Sequence, residues 1–583
     1  MQTITFSEKL FGTIDPVYKC KINTITFQGE ILSDSAQPDS PVIAANDSYD
    51  GPVKWTFSAP VDHVEFDVGY FDDLGTTTVK FFDKNGALIE RFENDQLGVQ
   101  HFSYSNVHGI ARVVVNNDKT DPSGFSVDSI AFSNKPPEVD LANNRDIDGE
   151  LWGYKWDHKN LTYSFPASAT EYTENGYKSV VGFEAMNAAQ QSAYASIIAN
   201  YGGVCGLKFT ATADENADLR FGEADTIDYS DGKGSHVPGS STAEGNPPDP
   251  GRATVGWGDS WFTHTTYDTP DTGSFAYAAG LMHELGHSLG LKHGHSAQTG
   301  HGVVFPKLPA DHDSYEYSIM TYHQYVGDTT PGDNAVDHPT SLMQDDIAAL
   351  QYLYGADFNY RSGNTVYSFD DNSQLMVNGA GQGTPINHRA LLTIWDGGGT
   401  DTYDFSNKTV DVEVDLAPGA WTTFGDAANL GDGHMARGNL ANALLYHRNK
   451  ASLIENVIGG TGDDEIMGNA ASNDFKGGDG SDSLDGKTGS DVLKGGEGED
   501  LFIFSTALNA SNIDKVKDFT KGDDFIELDN NIFGELGGAV EKGEFYVGSA
   551  AHDASDHIIC FMMKMERTVT QQSSSLTSAS TWR

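Results

Sequence analysis

From Ile466 onward an apolar side chain returns at every ninth position, at Phe475, Leu484, Leu493 and Phe502. Nine is neither the helical nor the strand period. It predicts a short strand and a turn, repeated and stacked in parallel, with those five side chains aligned as an inward core. Before residue 140 the pattern is different: apolar and polar positions alternate in Val64-Glu65-Phe66-Asp67-Val68, Thr77 to Phe82, Arg112 to Val115 and Phe125 to Phe132, with turn residues between. That period of two predicts an antiparallel β-sandwich over residues 1–140. Asn134-Lys135-Pro136-Pro137-Glu138 then reads as a stiff, extended linker. The Ala-rich stretch Phe183 to Tyr201 has no internal Gly or Pro and predicts a long helix, followed by strands at Leu207 to Thr210 and Leu219 to Phe221. His236 to Trp257, rich in Gly, Pro and Ser, is expected to carry a strand and loops bordering a cleft, where an extended peptide could add to a sheet edge.

One amphipathic stretch carries chemistry: His283-Glu284-Leu285-Gly286-His287-Ser288-Leu289-Gly290-Leu291-Lys292-His293. At 3.6 residues per turn His283 and His287 stack on one helix face and reach the same ion. Glu284, beside them, can touch a metal-bound water without being a ligand, which is what a general base must do. Gly290 permits a left-handed turn that ends the helix and swings His293 back as a third ligand, leaving one position for water. The pattern points to a zinc-dependent peptidase.

From Gly459 to Ile503 the chain runs GGTGDDEIM, GNAASNDFK, GGDGSDSLD, GKTGSDVLK and GGEGEDLFI. These units resemble the RTX nonapeptide, which builds a parallel β-roll around calcium. The resemblance places turn ligands at Gly459, Thr461, Gly462 and Asp464, at Gly477, Asp479, Gly480 and Asp482, at Gly486, Thr488, Gly489 and Asp491, and at Gly495, Glu497, Gly498 and Asp500. Hard oxygen donors at glycine-permitted turns suit calcium better than a transition metal. The second unit departs from the pattern, with Asn473 at the ligand position and Ala470-Ala471 among its glycines, so its site is expected to be weak or empty.

Downstream of the histidines, Ser318-Ile319-Met320-Thr321-Tyr322 is similar to the turn that, with the extended His motif, marks the metzincins. The pair resembles the serralysin branch in particular. Asp345 to Gly355 is similar to that family's closing catalytic helix, and Gly153 to Trp156 with Leu161 to Pro166 to the start of its domain, so the resemblance runs from about Asp146 to Ile559. It implies an α/β metzincin catalytic domain at 141–355 and a calcium-binding β-roll region at 356–560. It further implies one catalytic zinc on His283, His287 and His293, Glu284 as base, Met320 as an apolar floor, and Tyr322 as a phenol that swings to the developing oxyanion. Several structural calcium ions are implied too, with Trp395 to Ser406 similar to the turn at the start of the roll and Asp401 and Asp404 as its candidate ligands. The family is exported by a type I secretion system that reads an uncleaved C-terminal signal, so an extracellular enzyme acting on proteins or peptides is expected, as a monomer.

Composition sharpens this. Asp and Glu number 84 against 36 Lys and Arg, a formal charge of −48, which disfavours nucleic acid as a partner. Clustered aspartates repel without calcium, so ion binding becomes folding energy in the roll. Cys20, Cys205 and Cys560 are too few and scattered for a disulfide scaffold or a cysteine-zinc site. No apolar run reaches the length of a membrane span, and no signal-peptide core opens the chain.

Two regions fall outside the resemblance. Gly69-Tyr70-Phe71-Asp72-Asp73, with Gly124 and the last strand before 140, resembles jelly-roll accessory domains of secreted bacterial proteins; carbohydrate or protein binding, a spacer and a folding aid all fit. Residues 561–583 turn into Phe-Met-Met-Lys-Met-Glu and a Ser/Thr-rich tail. Read in a shifted frame, the codons of that Met-rich run give a Tyr-Asp-Glu-Asp-Gly-like turn similar to the family's, so a frameshift near Ile559 is expected, with loss of the last strands and the export signal. Against the secreted peptidase stands one other function class, a calcium-dependent extracellular binding or adhesion protein whose peptidase fold is only a scaffold.

Overall fold

The computed structural model describes residues 2–4, 13, 16–20, 23–33, 41–45, 51–71, 73–117, 125–133, 136–173, 177–213, 217–229, 235–236, 243–249, 256–329, 332–507, 509, 511–532 and 581–582. Asp72, Gly124, Asn134, Lys135, Cys560 and the tail from 561 to 580 lie outside them. Two compact units divide the chain: residues 1–138, 154–186 and 210–263 form one, residues 139–153, 187–209 and 264–583 the other.

In the first unit the N-terminal alternation produces a ten-stranded sheet in which every registered pair is antiparallel. Thr77–Phe82 forms as the alternation predicts. Two runs expected to be short lie inside much longer strands, Val53–Phe71 and Gly98–Asn117. These pair with breaks in register after Thr56, Val61 and Val68. Breaks of this kind bend a strand. Trp55 and Phe66 would stand about 36 Å apart along a straight strand, yet their rings meet edge to face at 4.9 Å. The sheet therefore curls over one core that includes Ile25, Trp55, Phe66, Phe81, Phe102 and Ile130. The proline stretch is not a free spacer: Lys155 N–H donates to the Pro137 carbonyl, and Glu138 bridges Tyr154.

The same unit holds a second sheet. Asn160–Ser164, Leu219–Glu223 and Asp259–Phe262 run parallel, and Ala243–Gly245 adds antiparallel to Asp259–Phe262 at the edge. That edge strand lies within the Gly/Pro/Ser-rich segment. Inside the sheet, Arg220 donates from Nε and Nη2 to the two Asp259 oxygens at 3.0 and 2.7 Å, with both side chains sealed from water. Tyr177 donates to the same carboxylate at 2.6 Å, and the guanidinium lies 4.5 Å over the Tyr172 ring.

The second unit contains the two longest α-helices. The Ala-rich helix spans Ala188–Val204, starting later than expected because Asn187 caps it and Gln190 completes a capping box. Gln344–Tyr354 is the closing helix. From Val366 on, strands collect in two parallel-dominated sheets. One pairs Asn456–Ile458, Asp474–Asp479, Val492–Glu497 and Lys515–Val516 in parallel, and the other Glu465–Met467, Ser483–Asp485, Leu501–Phe504 and Phe525–Leu528. Units therefore alternate between sheets, and partners such as Ile466 and Leu484 or Phe475 and Leu493 stand two repeats apart. All five ninth-position side chains are fully buried in one core. Thr581–Trp582 pairs antiparallel with Phe525–Leu528.

Candidate active site

The motif helix does not begin at His283. A seven-residue π-helical stretch, Ala276–Met282, leads into the α-helix His283–Ser288, and such wide turns collect at functional sites. Gly286 is required by a close approach: a Cβ there would meet Met320 Sδ at 2.6 Å and the Tyr201 hydroxyl at 3.0 Å. Tyr201 in turn donates to the Met282 carbonyl at 2.8 Å, tying the long helix to the wide turn. Gly290 has φ +99°, the left-handed conformation expected of the residue that ends this helix.

That turn brings the three imidazoles together. One ligand nitrogen from each of His283, His287 and His293 lies within 4.8 Å of the others, and His287 Nε2 is 3.0 Å from His293 Nε2. His283 Nδ1–H donates to the Ile319 carbonyl at 2.7 Å and His287 Nδ1–H to the Leu291 carbonyl at 2.8 Å. Both rings are thereby fixed in the tautomer that leaves Nε2 with a lone pair. His283 Nε2 is buried and has no hydrogen-bond partner, and burial pushes this imidazole down to about 4, so it stays neutral. A buried, unpartnered acceptor beside two further imidazole nitrogens is a costly arrangement unless a cation completes it, and the all-nitrogen donor set suits zinc.

Glu284 is buried next to His283. Burial pushes the Tyr322 phenol up to about 12, with the Glu284 carboxylate adding to the effect. Tyr322 is 53% exposed, and its ring lies 4.5 Å from that of His293. Met320 is fully buried beneath the helix.

Several residues here were not singled out from sequence. Asp346, in the first turn of the closing helix, accepts from Ile319 N–H, Met343 N–H and Ser318 Oγ, so it holds the turn that carries Met320. Lys292, almost completely buried, donates to the carbonyls of Gly149, His293 and Ser296, the last two at 3.1 and 2.8 Å. His295 stacks on Tyr322 at 4.6 Å and accepts its N–H at 3.3 Å. None of the three carried a signal in the sequence: with Met at 343, the Ser/Thr-x-x-Glu/Gln pattern of a capping box is missing before Asp346.

In the repeat region, Asp464, Asp482, Asp491 and Asp500 are all buried. Asp482 accepts the amide of Asp464 and Asp500 that of Asp482, a ladder in which each step spans two repeats. The second oxygens of Asp482 and Asp491 are buried without a partner. Burial, helped by neighbouring carboxylates, pushes both groups up to about 7. Glycine is needed at turns such as Gly480, with φ +120°, where a Cβ would stand 2.1 Å from the Gly462 carbonyl oxygen. Unpartnered carboxylate oxygens among such carbonyls form an oxygen-only cradle that fits calcium. Asn473 differs: its Nδ2 donates to the Glu455 carbonyl at 2.8 Å, so an N–H fills the place of a second acceptor. Before the repeats, Asp401 Oδ2 is likewise buried and unpartnered, with Asp396 and Glu455 beside it. Asp404 accepts the Ser406 N–H at 3.0 Å.

Residues 155–314 match a family model described as Matrixin, and residues 356–555 one described as Peptidase M10 serralysin C terminal. Metallopeptidase AprA of Pseudomonas marginalis is 34% identical over 404 residues, covering 67% of this chain and 76% of the relative. Serralysin G of Dickeya chrysanthemi is 35% identical over 379 residues, covering 63% and 72%. Serralysin of Photorhabdus laumondii subsp. laumondii is 34% identical over 416 residues, covering 69% and 79%.

Proposed function

This chain belongs to the serralysin family of zinc metalloendopeptidases, and from that premise we propose that it hydrolyses peptide bonds of extracellular proteins with Glu284 as general base and Tyr322 as oxyanion donor. The observation that carries this reading is the convergence of three imidazole nitrogens with two of their Nδ1 atoms already tied to carbonyls. His283, His287 and His293 would hold the zinc, which would supply Lewis acidity toward the attacking water and the scissile carbonyl. Glu284 takes the proton of the attacking water and delivers it to the leaving amine. The exposed Tyr322 phenol donates a hydrogen bond to the oxygen that gains charge. We read the edge strand Ala243–Gly245 as a place where an extended peptide adds by backbone hydrogen bonds, which impose little side-chain preference.

In our reading residues 1–140 are an accessory antiparallel β-sandwich, 141–355 the catalytic domain and 356–560 a parallel β-roll that folds on calcium. The buried, unpartnered oxygens of Asp401, Asp482 and Asp491 support the calcium sites. The exported, signal-peptide-independent form rests on the family and on the calcium requirement, which keeps the roll unfolded where calcium is scarce. Among the described residues no helix is long and apolar enough to cross a membrane. The binding-protein alternative is not favoured, because the relatives are peptidases and the ligand set is complete.

The test is metal exchange on the calcium-saturated chain: o-phenanthroline abolishes hydrolysis of an unfolded protein and added zinc restores it. Undiminished hydrolysis after zinc removal would overturn the reading.

A further inference from the structure

A second group of metal-binding side chains lies apart from the three histidines. Asp146 comes from the short helix Arg145–Asp148, His312 from the segment leading to the Met320 turn, and Asp345 from the first turn of Gln344–Tyr354. One ligand atom from each lies within 4.8 Å of the other two. His312 Nδ1 is 2.9 Å from Asp345 Oδ2 and 4.0 Å from Asp146 Oδ1. Nitrogen and oxygen ligands about 2.0–2.1 Å from a tetrahedral ion stand roughly 3.3 Å apart, and these separations bracket that value.

Asp345 provides the independent observation. Its side chain is fully sealed from solvent, one oxygen faces His312, and the other, Oδ1, has no hydrogen-bond partner. A buried carboxylate oxygen without a donor costs more than a simple ion pair with one imidazole recovers. His312 is held in plane by Tyr317, whose ring stacks on it at 3.9 Å and 15°. Asp146 and His312 retain side-chain exposures of 28% and 24%, so an ion has a route in and room for a water ligand.

We propose that Asp146, His312 and Asp345 bind a second divalent transition-metal ion, structural in role. One imidazole with two carboxylates suits zinc, cobalt or manganese, whereas calcium favours oxygen alone. The ion joins three segments, and Asp346, the next residue, holds the Ile319 amide, so occupancy braces the turn beneath the catalytic histidines.

The experiment uses the full chain, saturated with calcium, stripped of transition metals with dipicolinate and titrated with Co²⁺ alone. Bound metal is counted by mass spectrometry, and cobalt absorption reports each site separately. Wild type is expected to bind two equivalents, His312→Gln and His287→Gln one each, and the double variant none. Asp146→Asn, a change at a partly exposed residue that leaves folding intact, weakens the second equivalent at least about a hundredfold, since even outer partners of metal ligands contribute ten- to a hundredfold. A single equivalent in wild type, or a second equivalent that persists unweakened in both Asp146→Asn and His312→Gln, would overturn the proposal and leave His312 and Asp345 an ordinary ion pair.

Discussion

Asp346 carries Ile319: its carboxylate oxygens lie 3.2 and 3.1 Å from the Ile319 amide, and the Ile319 carbonyl accepts His283 Nδ1–H at 2.7 Å. The proposed zinc ligand His283 is thus oriented through one residue, Ile319, by a carboxylate on another helix. Asp346→Ala orphans the Ile319 and Met343 amides and frees the His283 ring. Zinc affinity should fall about 10–100-fold and stability by about 1.5–3 kcal/mol, the range for bonds to a charged acceptor. Competition titration with a chromophoric chelator and urea unfolding check the two; unchanged zinc affinity would contradict the positioning role.

The Arg220 and Asp259 pair is fully buried and bidentate. Truncating one partner strands the other charge in an apolar sheet. Asp259→Ala should therefore cost about 3–5 kcal/mol, whereas replacing both with apolar residues of similar volume should cost much less. Urea unfolding of the two variants separates the cases, and a mild single variant would show the pair to be better hydrated than its burial implies.

His158 gives a pH dependence. Burial alone would lower this imidazole, but the Asp157 and Asp218 carboxylates outweigh it and hold it up at about 9. A raised folded value means protonation favours the fold, so the contribution is complete below about pH 6.5 and is lost as pH rises through about 9. Melting temperature followed from pH 6 to 10 should fall more steeply in wild type than in His158→Gln; equal slopes would contradict the pairing.

Calcium removal should act on the repeat region first. Asp482 and Asp491, pushed up to about 7 by burial, each keep one buried oxygen without a hydrogen-bond partner. Without the ion, ionising them disfavours the fold, so chelation by EGTA should unfold the parallel sheets near pH 8 and less so near pH 5. Calcium affinity should fall as pH drops through about 7, with proton release on binding that calorimetry in buffers of different ionisation enthalpy would detect. Affinity independent of pH would contradict this.

What the sequence made legible was periodic or local. The four-residue spacing of His283 and His287, the glycine stop at Gly290 and the ninth-position core from Ile466 to Phe502 each depend on neighbours within one turn or one repeat. Asp346, Lys292, Arg220 and Asp259 were not legible, because their meaning lies in partners far along the chain: Lys292 reaches Gly149, and Arg220 meets Asp259 thirty-nine positions on. The two long N-terminal strands were read as short because alternation breaks where the register shifts.

The most direct test of the account is Glu284→Ala in the calcium- and zinc-loaded chain, measured for bound zinc and for turnover of an unfolded protein substrate. Zinc should remain at the wild-type stoichiometry while turnover drops by at least about 10²–10⁴-fold, the usual contribution of a general acid–base group. Near-normal turnover with zinc in place would contradict Glu284 as the base and, with it, the proposed mechanism.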